Sequence, residues 1–154
     1  MRGLYAKVIY PRLLELSVGG EAFAKERIKA LKSVRGKVLE VGFGTGLNLP
    51  HYPPSVAHLF ALDPEEMLPA KVSQRIAAAS FPVARVRQCG ERLPFATGRF
   101  DCVVTTLTLC TIADPASALS EIWRVLRTGG TYFFLEHGRS ADPRVALLQD
   151  RVNP

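Results

Sequence analysis

Short apolar runs alternate with longer amphipathic segments along most of this chain. The first run begins at Val38, the second occupies 58–62 and reads as a buried strand, and further strands are predicted at 83–88, 100–106 and 131–137. Segments 65–80 and 116–127 carry apolar residues at helical spacing. Strands that alternate with helices predict βαβ units, so we expect an α/β fold with a doubly wound, mostly parallel sheet.

Turn-forming residues delimit these elements. Asp114 and Pro115 form an N-cap and first-turn signal for the helix 116–127, and Gly129 and Gly130 are expected to end it. Prolines restrict segment 48–52 to a brief helical turn, and a last helix is expected at 144–151. The 154 residues, with no internal repeat, suffice for one globular core.

Three glycines at alternate positions follow the first strand, in the sequence VLEVGFGTGL. Such a turn lets the backbone approach a ligand where a Cβ would collide, and it leaves N–H groups free at its end. The commoner dinucleotide pattern GxGxxG would need glycine at Leu47, and here the third glycine is one place earlier at Gly46. A purely structural glycine turn is the alternative interpretation.

The second predicted strand ends in Asp63, which follows Gly44 by 19 residues. A carboxylate at such a strand end accepts hydrogen bonds from ribose hydroxyls in dinucleotide-binding folds, where it lies about 20 residues downstream. Asp63 is equally suited to cap a helix that begins near Glu65. The two roles are compatible because a carboxylate has two oxygens.

The order of further motifs carries a family resemblance over residues 34–154. GERLPFATGRFDCVVTTLTLC occupies 90–110, and EIWRVLRTGGTYFFLEHG occupies 121–138. With the glycine turn and Asp63, these segments resemble class I S-adenosylmethionine-dependent methyltransferases of type 11, and most closely the methyltransferase-like branch related to the ubiquinone and menaquinone methyltransferases. The resemblance implies a Rossmann-like fold and S-adenosyl-L-methionine as cofactor.

The resemblance also implies which residues contact the cofactor. They are Glu40, Gly42, Phe43, Gly44, Gly46, Asp63, Pro64, Met67, Gly90, Glu91, Thr105 and Thr106. Cys89 stands where the family commonly has an acidic residue that contacts the adenine, so Gly90 and Glu91 are expected to take over that contact.

The implied chemistry is in-line transfer of a methyl group to a small, apolar acceptor such as a quinone precursor, a lipid or a thiol. Alignment of the two reactants supplies roughly 7 to 11 kcal/mol in such reactions. A general base is needed only where the acceptor must lose a proton, and Glu136 and His137 are the candidates. Alternatively, His137 only ends the fifth strand. No metal site is predicted.

Two other function classes are compatible with the sequence. One is a catalytically silent module that binds S-adenosylmethionine and acts through a partner. The other is a nicotinamide-dependent oxidoreductase, which the glycine spacing disfavours.

The N-terminal region, residues 1–33, is expected to form a lid or surface helices outside the domain 34–154, with Tyr5 or Tyr10 facing the acceptor. Apolar residues at helical spacing alternate there with Arg2, Lys7 and Arg12, so contact with a membrane surface is a second role. The net charge of +6 is concentrated at 25–37, where the basic side chains are expected to face water while Phe23, Ile28 and Leu31 pack inward. Interleaved aromatic residues are missing, so no nucleic-acid partner is predicted.

Three cysteines without a CxxC pair predict a reducing compartment, and no signal peptide or membrane span is recognisable, so a cytoplasmic location is expected. Cys102 is predicted to lie in the core, and Cys110 to pack near a pocket.

The resemblance further implies a C-terminal β-hairpin that this sequence does not contain, which suggests a truncated domain. The fifth strand would then lie at a sheet edge, and natural proteins seldom leave such an edge uncovered. We expect the last helix to cover the edge or a second copy of the chain to pair with it as a homodimer.

Overall fold

The computed structural model describes residues 10–152 as five strands and five α-helices. The helices are α1 (Tyr10–Val18), α2 (Glu21–Leu31), α3 (Pro69–Ala77), α4 (Pro115–Val125) and α5 (Pro143–Val152). The strands are β1 (Gly36–Val41), β2 (Val56–Leu62), β3 (Val83–Val86), β4 (Phe100–Thr106) and β5 (Leu126–Leu135). Short 3₁₀ turns occupy Leu49–His51 and Leu109–Thr111. Tyr5 and the side chain of Tyr10, which we expected to face the acceptor, lie outside the described residues.

The five strands form one parallel sheet in the order β3-β2-β1-β4-β5. The α/β prediction is therefore confirmed. The chain first builds outward from β1 through β2 and β3, and then returns to the other side of β1 with β4 and β5. This reversal opens a crevice between the carboxyl ends of β1 and β4, which is the usual ligand position in doubly wound sheets.

Two apolar layers cover the faces of the sheet. On one face α2 and α3 pack through Leu31 and Val72 against a layer that includes Val38, Leu59 and Cys102. Cys102 is 3% exposed, as predicted for a core cysteine. On the other face α4 packs through Ile122 and Val125 onto Leu39, Val103 and Phe100. Because both faces are covered, the ligand site is confined to the strand ends.

The helix predicted at 65–80 is shorter, and α3 begins only at Pro69. The Glu65 N–H donates to Asp63 Oδ1 at 2.9 Å, so Asp63 organises a turn there and does not cap the helix. Leu68 then adopts φ 41°, in the left-handed region, directly before the proline that starts α3. Segment 63–68 is consequently a loop at the carboxyl end of β2. The third strand, predicted at 83–88, ends two residues earlier, at Val86.

The fifth strand differs from its prediction at both ends. We expected Gly129 and Gly130 to end a helix 116–127, but α4 ends at Val125 and β5 begins at Leu126. Leu126 pairs with Phe100, the register then shifts, and Thr131 pairs with Cys102. The two glycines therefore lie in an irregular stretch of β5 opposite Asp101, to which Arg127 Nε donates at 2.6 Å. The N-cap prediction for α4 is confirmed, since Asp114 Oδ1 accepts the Ser117 N–H at 3.1 Å.

Helix α2 turns a different face inward than its sequence suggested. Leu31 is buried as expected, but Ile28 is 52% exposed and Arg27 is 4% exposed. The Arg27 side chain is held inside by hydrogen bonds to groups outside α2, a tertiary effect that helical spacing does not encode. Among the helices of residues 10–152, none has the length and apolar character needed to cross a membrane.

Candidate functional site

The glycine turn follows β1 directly and forms the floor of the crevice. Gly42, Gly44 and Gly46 all have positive φ values, of 77°, 57° and 79°. A Cβ on Gly42 would collide with the Thr108 side chain, whereas a Cβ on Gly44 would meet no protein atom within 4 Å. Gly42 thus lets β1 and the segment after β4 pack closely, and Gly44 presents bare backbone to an open space that a ligand can fill.

A cavity of about 640 Å³ lies above this turn, between the carboxyl ends of β1 and β4. Its walls come from α1, α2, the glycine turn, the loop after β2 and the segments after β4 and β5. Eight of the predicted site residues line it: Glu40, Gly42, Phe43, Gly44, Asp63, Met67, Thr106 and His137. Cys110 lines it as well, and its side chain is exposed.

Six predicted site residues lie outside the cavity wall. Gly46 packs under the Phe43 ring, the Pro64 carbonyl accepts Arg87 Nε at 3.2 Å, and Thr105 is buried with its Oγ1 2.8 Å from the Tyr132 hydroxyl. The other three are Gly90, Glu91 and Glu136. A Cβ on Gly90 would approach Val41 to 3.0 Å, so this glycine serves close packing.

Asp63 stands where β2 ends and connects to the glycine turn. Its Oδ2 accepts the Gly44 N–H at 2.7 Å. Burial raises the pKa of this carboxyl, and the N–H donors of Glu65 and Gly44 oppose the shift. A second, smaller cavity of about 190 Å³ adjoins Asp63 and Phe43 on the side of β3 and includes Arg85 and Glu66. Asp63 therefore borders two adjoining spaces, with carboxylate lone pairs left for hydroxyl donors.

Glu40 lies at the end of β1, is 2% exposed and carries no direct ion pair among the described residues. Its Oε1 accepts Asn48 Nδ2 at 2.9 Å, and its Oε2 accepts the Tyr52 hydroxyl at 2.8 Å. Burial raises the pKa of Glu40 to about 7, although both hydrogen bonds and the charge of Arg27 act to lower it. The carboxyl therefore titrates near neutral pH while it forms part of the cavity wall.

Arg27 joins this network from α2, and the sequence reasoning missed it. Its Nε donates to Asn48 Oδ1 at 3.1 Å, and its Nη1 donates to the Val18 carbonyl at 2.7 Å. The same Asn48 amide donates to Thr106 Oγ1 at the end of β4, also at 2.9 Å. In sequence, Arg27 is one of several basic residues at 25–37, and no local signal separates it from its exposed neighbours.

The segment after β4 is fixed by Glu136. The Thr108 N–H lies 3.0 Å from its Oε2, and the Leu109 N–H lies 3.3 Å from both of its carboxylate oxygens. Leu107, which lines the cavity, has φ 51°, an uncommon value for a residue with a side chain. The carboxylate of Glu136 is thus occupied by backbone donors, while His137 is exposed at the cavity rim.

Helix α1 closes part of the cavity through Leu13, Ser17 and Val18. Glu15, whose side chain is 11% exposed, accepts from both Lys71 and Arg75 of α3. Burial acts to raise the pKa of Glu15, but the hydrogen bonds from these two cations leave it lowered. Arg75 also donates to the Thr45 carbonyl at 2.7 Å, so α1 is connected to the glycine turn through one arginine.

Comparison with known proteins agrees with this geometry. The methyltransferase domain family matches residues 39–134. Thiol S-methyltransferase TMT1B of Homo sapiens is 40% identical over 120 residues, which are 72% of this chain and 47% of that protein. A phosphatidylethanolamine N-methyltransferase of Cereibacter sphaeroides is 35% identical, over 73% of this chain and 56% of that protein. This chain therefore spans about half the length of the curated relatives it matches.

Among solved structures, the YcgJ protein of Bacillus subtilis superposes with a TM-score of 0.69 at 23% identity, covering 84% of this chain and 56% of that one. At this identity the likeness concerns the fold alone. The sequence match, by contrast, contains the glycine turn, Asp63 and the ends of β1 and β4 that form the cavity. The chain belongs to the methyltransferase domain family.

Proposed function

We propose that this chain is an S-adenosylmethionine-dependent methyltransferase that acts on a small, apolar acceptor. The observation that carries the proposal is the open space above Gly44, bordered by two acidic strand ends, Asp63 and Glu40. One cavity thus contains bare backbone at Gly44, a carboxylate at Asp63 that can accept hydrogen bonds from hydroxyls, and the buried ionisable side chains of Glu40 and Arg27. These groups suit a ligand with a ribose and an amino-acid end.

In this proposal Asp63 holds the ribose, and the glycine turn passes beneath the cofactor. The smaller cavity beside Asp63 would receive the base of the cofactor, and Glu40 would lie beside its amino-acid end. S-adenosylmethionine carries a methyl group on a sulfonium and supplies it for in-line displacement. The protein contributes by orienting the two reactants and by excluding water, mainly with α1 and the segment after β4.

The acceptor is expected to enter beside the apolar part of the cavity wall. Leu13 and Val18 of α1 line the cavity together with Leu107 and Cys110, and His137 lines it as well. The names of the relatives indicate thiols and a phospholipid amine as acceptors in this family. For an acceptor that must lose a proton, we assign His137 as the general base in preference to Glu136, because Glu136 is occupied by backbone N–H groups.

Replacement of Asp63 tests the cofactor assignment. Asp63→Ala removes hydrogen bonds of a charged acceptor and should weaken binding of S-adenosylhomocysteine by about 1.5 to 3 kcal/mol in calorimetry. Asp150→Ala is the matched control, since Asp150 is an exposed carboxylate on α5 that pairs with Arg139. Unchanged affinity in Asp63→Ala would refute the assignment, and tight binding of NAD in place of S-adenosylmethionine would overturn the proposed function.

Turnover separates an enzyme from a catalytically silent module. With S-adenosylmethionine and a small aliphatic or aromatic thiol, mass spectrometry should detect the S-methyl product. Cofactor binding without methylation of thiol, phospholipid amine or quinone-type acceptors would favour the silent module.

We propose residues 1–33 as a lid and surface region and 34–154 as the cofactor domain, in a cytoplasmic protein whose lid touches membrane surfaces. In α1, Leu13 is 53% and Leu16 80% exposed, and α2 adds exposed Ile28 beside basic side chains. Apolar residues with flanking cations suit an anionic lipid surface. Flotation with anionic vesicles should recover the protein, and Leu16→Asp should reduce that recovery; equal recovery of both proteins would contradict the contact.

We also propose a homodimer formed along β5. This strand pairs with β4 on one side, within residues 10–152 no strand pairs with its other side, and Phe134 on it is 64% exposed. An edge of this kind is suited to pairing with a second copy. Sedimentation should show a dimer. A monomer whose β5 amides exchange rapidly with solvent would show that the edge tolerates exposure.

A further inference from the structure

Arg27 is a buried cation, and its hydrogen bonds within the described chain leave several of its N–H donors unused. It is 4% exposed and lines the cavity, where it is the only lysine or arginine among the described lining residues. Its bonds within the described chain go to Asn48 and to the Val18 carbonyl. A guanidinium has five N–H donors in a planar fork, so donors remain for a planar acceptor such as a carboxylate.

The guanidinium of Arg27 lies 5.9 Å from the centre of the Phe23 ring but has no carboxylate partner in the part of the chain that the structure describes. Both of its hydrogen-bond acceptors are neutral, and the carboxylate that influences it most is Glu40, on the far side of the Asn48 amide. Glu40 is likewise bonded only to neutral donors, Asn48 and Tyr52. A buried charge without a partner is costly, and an arrangement of this kind is stabilised when a ligand supplies the opposite charge.

The Arg27 guanidinium and the Glu40 carboxyl are held apart by one amide and border the same cavity. Asn48 accepts from Arg27 and donates to Glu40, so it keeps the guanidinium and the carboxyl from collapsing into an ion pair. A ligand that fits such a pair carries a negative and a positive group a few bonds apart. The α-amino acid end of S-adenosylmethionine has this chemistry, with a carboxylate and an ammonium on one carbon.

We propose that Arg27 binds the carboxylate of the amino-acid end of S-adenosylmethionine, with the ammonium directed toward Glu40. The inference rests on the proposed function and adds to it a binding residue that lies outside the 39–134 segment matched by the family. Because Arg27 also holds the Val18 carbonyl at the end of α1, one side chain connects the carboxylate subsite with the helix that closes the cavity.

Removal of the carboxylate from the ligand tests the assignment without any turnover. Calorimetry compares S-adenosylhomocysteine with its decarboxylated analogue, in which the α-carboxylate is replaced by hydrogen, on the 154-residue chain and its variants. The parent chain should prefer the carboxylate ligand by roughly tenfold to a hundredfold, the range for a hydrogen bond to a charged group. In Arg27→Met that preference should fall to about one, with affinity for the decarboxylated analogue nearly unchanged.

The matched control is Arg75→Met. Arg75 also bonds a backbone carbonyl of the glycine turn, at Thr45, and helps to hold α1 through Glu15, but it is not part of the cavity wall. The variant should keep the full preference for the carboxylate ligand. Arg27→Lys retains the charge without the planar fork and should show an intermediate preference.

Three results would overturn the inference. The first is equal binding of both ligands by the parent chain. The second is weakening of both ligands by the same factor in Arg27→Met, which would indicate a structural role through Val18. The third is loss of the preference for the carboxylate ligand in Arg75→Met. If Arg27→Met does not fold, the parent chain and Arg27→Lys still test the inference: an intermediate preference for the carboxylate ligand in Arg27→Lys supports it, and an unchanged preference contradicts it. Failure of the folded parent chain to bind either adenosyl ligand would instead contradict the proposed function itself.

Discussion

Replacement of Glu40 by glutamine should abolish a pH-dependent loss of stability. The carboxyl is 2% exposed, and burial raises its pKa from 4.5 to about 7 in the folded protein. The folded state therefore retains a proton over a pH range in which the unfolded chain has released it. Glutamine at this position is neutral at every pH and still provides one oxygen for the donors of Tyr52 or Asn48.

The sign and size of the effect follow from proton linkage. A group whose pKa is raised on folding stabilises the protein below its unfolded pKa, and this contribution is lost as pH rises through its folded pKa. A shift from 4.5 to about 7, at about 1.36 kcal/mol per unit, corresponds to about 3 kcal/mol. Relative to Glu40→Gln, the parent free energy of unfolding should therefore fall by about 3 kcal/mol as pH rises from below 4.5 to above 7.

Urea denaturation of both proteins at pH values from about 5 to about 8 measures most of this change, because the other titrating groups cancel in the difference. Glu121→Gln is the control. Arg124 lowers the pKa of Glu121 to about 2, so this carboxyl is mostly ionised in both states throughout that range and its substitution should cost nearly the same at every pH. A pH-independent difference between the parent chain and Glu40→Gln would refute the reasoning.

Two further substitutions test the packing beside the cavity. Gly42→Ala should lower the free energy of unfolding by about 2 to 4 kcal/mol, because its Cβ meets Thr108 in addition to the cost of a left-handed alanine. Gly129→Ala, at a similar φ of 76° but in open space, should cost only about 1 to 2 kcal/mol, and equal costs in denaturation would contradict the steric argument. Glu136→Gln should cost about 1 to 3 kcal/mol through weaker bonds to Thr108 and Leu109, whereas a variant of full stability but without activity would identify Glu136 as a base.

The architecture of this domain follows largely from local sequence patterns. The fourth strand was predicted at 100–106, and β4 spans the same residues, because its aromatic, apolar and β-branched residues after the turn at Gly98 are a local strand signal. The cap at Asp114 is equally local, since donor and acceptor lie 3 residues apart. The glycine turn and Asp63 were recognisable for the same reason: backbone conformation and strand ends leave direct traces in residue type.

Where distant parts of the chain compete for a segment, the local pattern was insufficient. The helix predicted at 65–80 lost its first turn to the Asp63 loop, and the predicted helix 116–127 gave up its last residues to pairing between Leu126 and Phe100. In the first case the turn from Asp63 to Glu65 is itself local, and its tertiary component is the Gly44 N–H that holds the other oxygen of Asp63. In the second case pairing within the folded sheet decides against the helix.

The roles of single side chains in the site were decided by tertiary structure. Arg27 has the sequence context of a surface cation and is buried because Asn48, 21 residues away, and the end of α1 meet it. Glu136 has the sequence position of a base at a strand end, yet it caps backbone groups 28 residues earlier in the chain. Residue type and local spacing determined the fold and the cofactor turn, whereas the partner of each buried charge depended on contacts that exist only after the sheet has assembled.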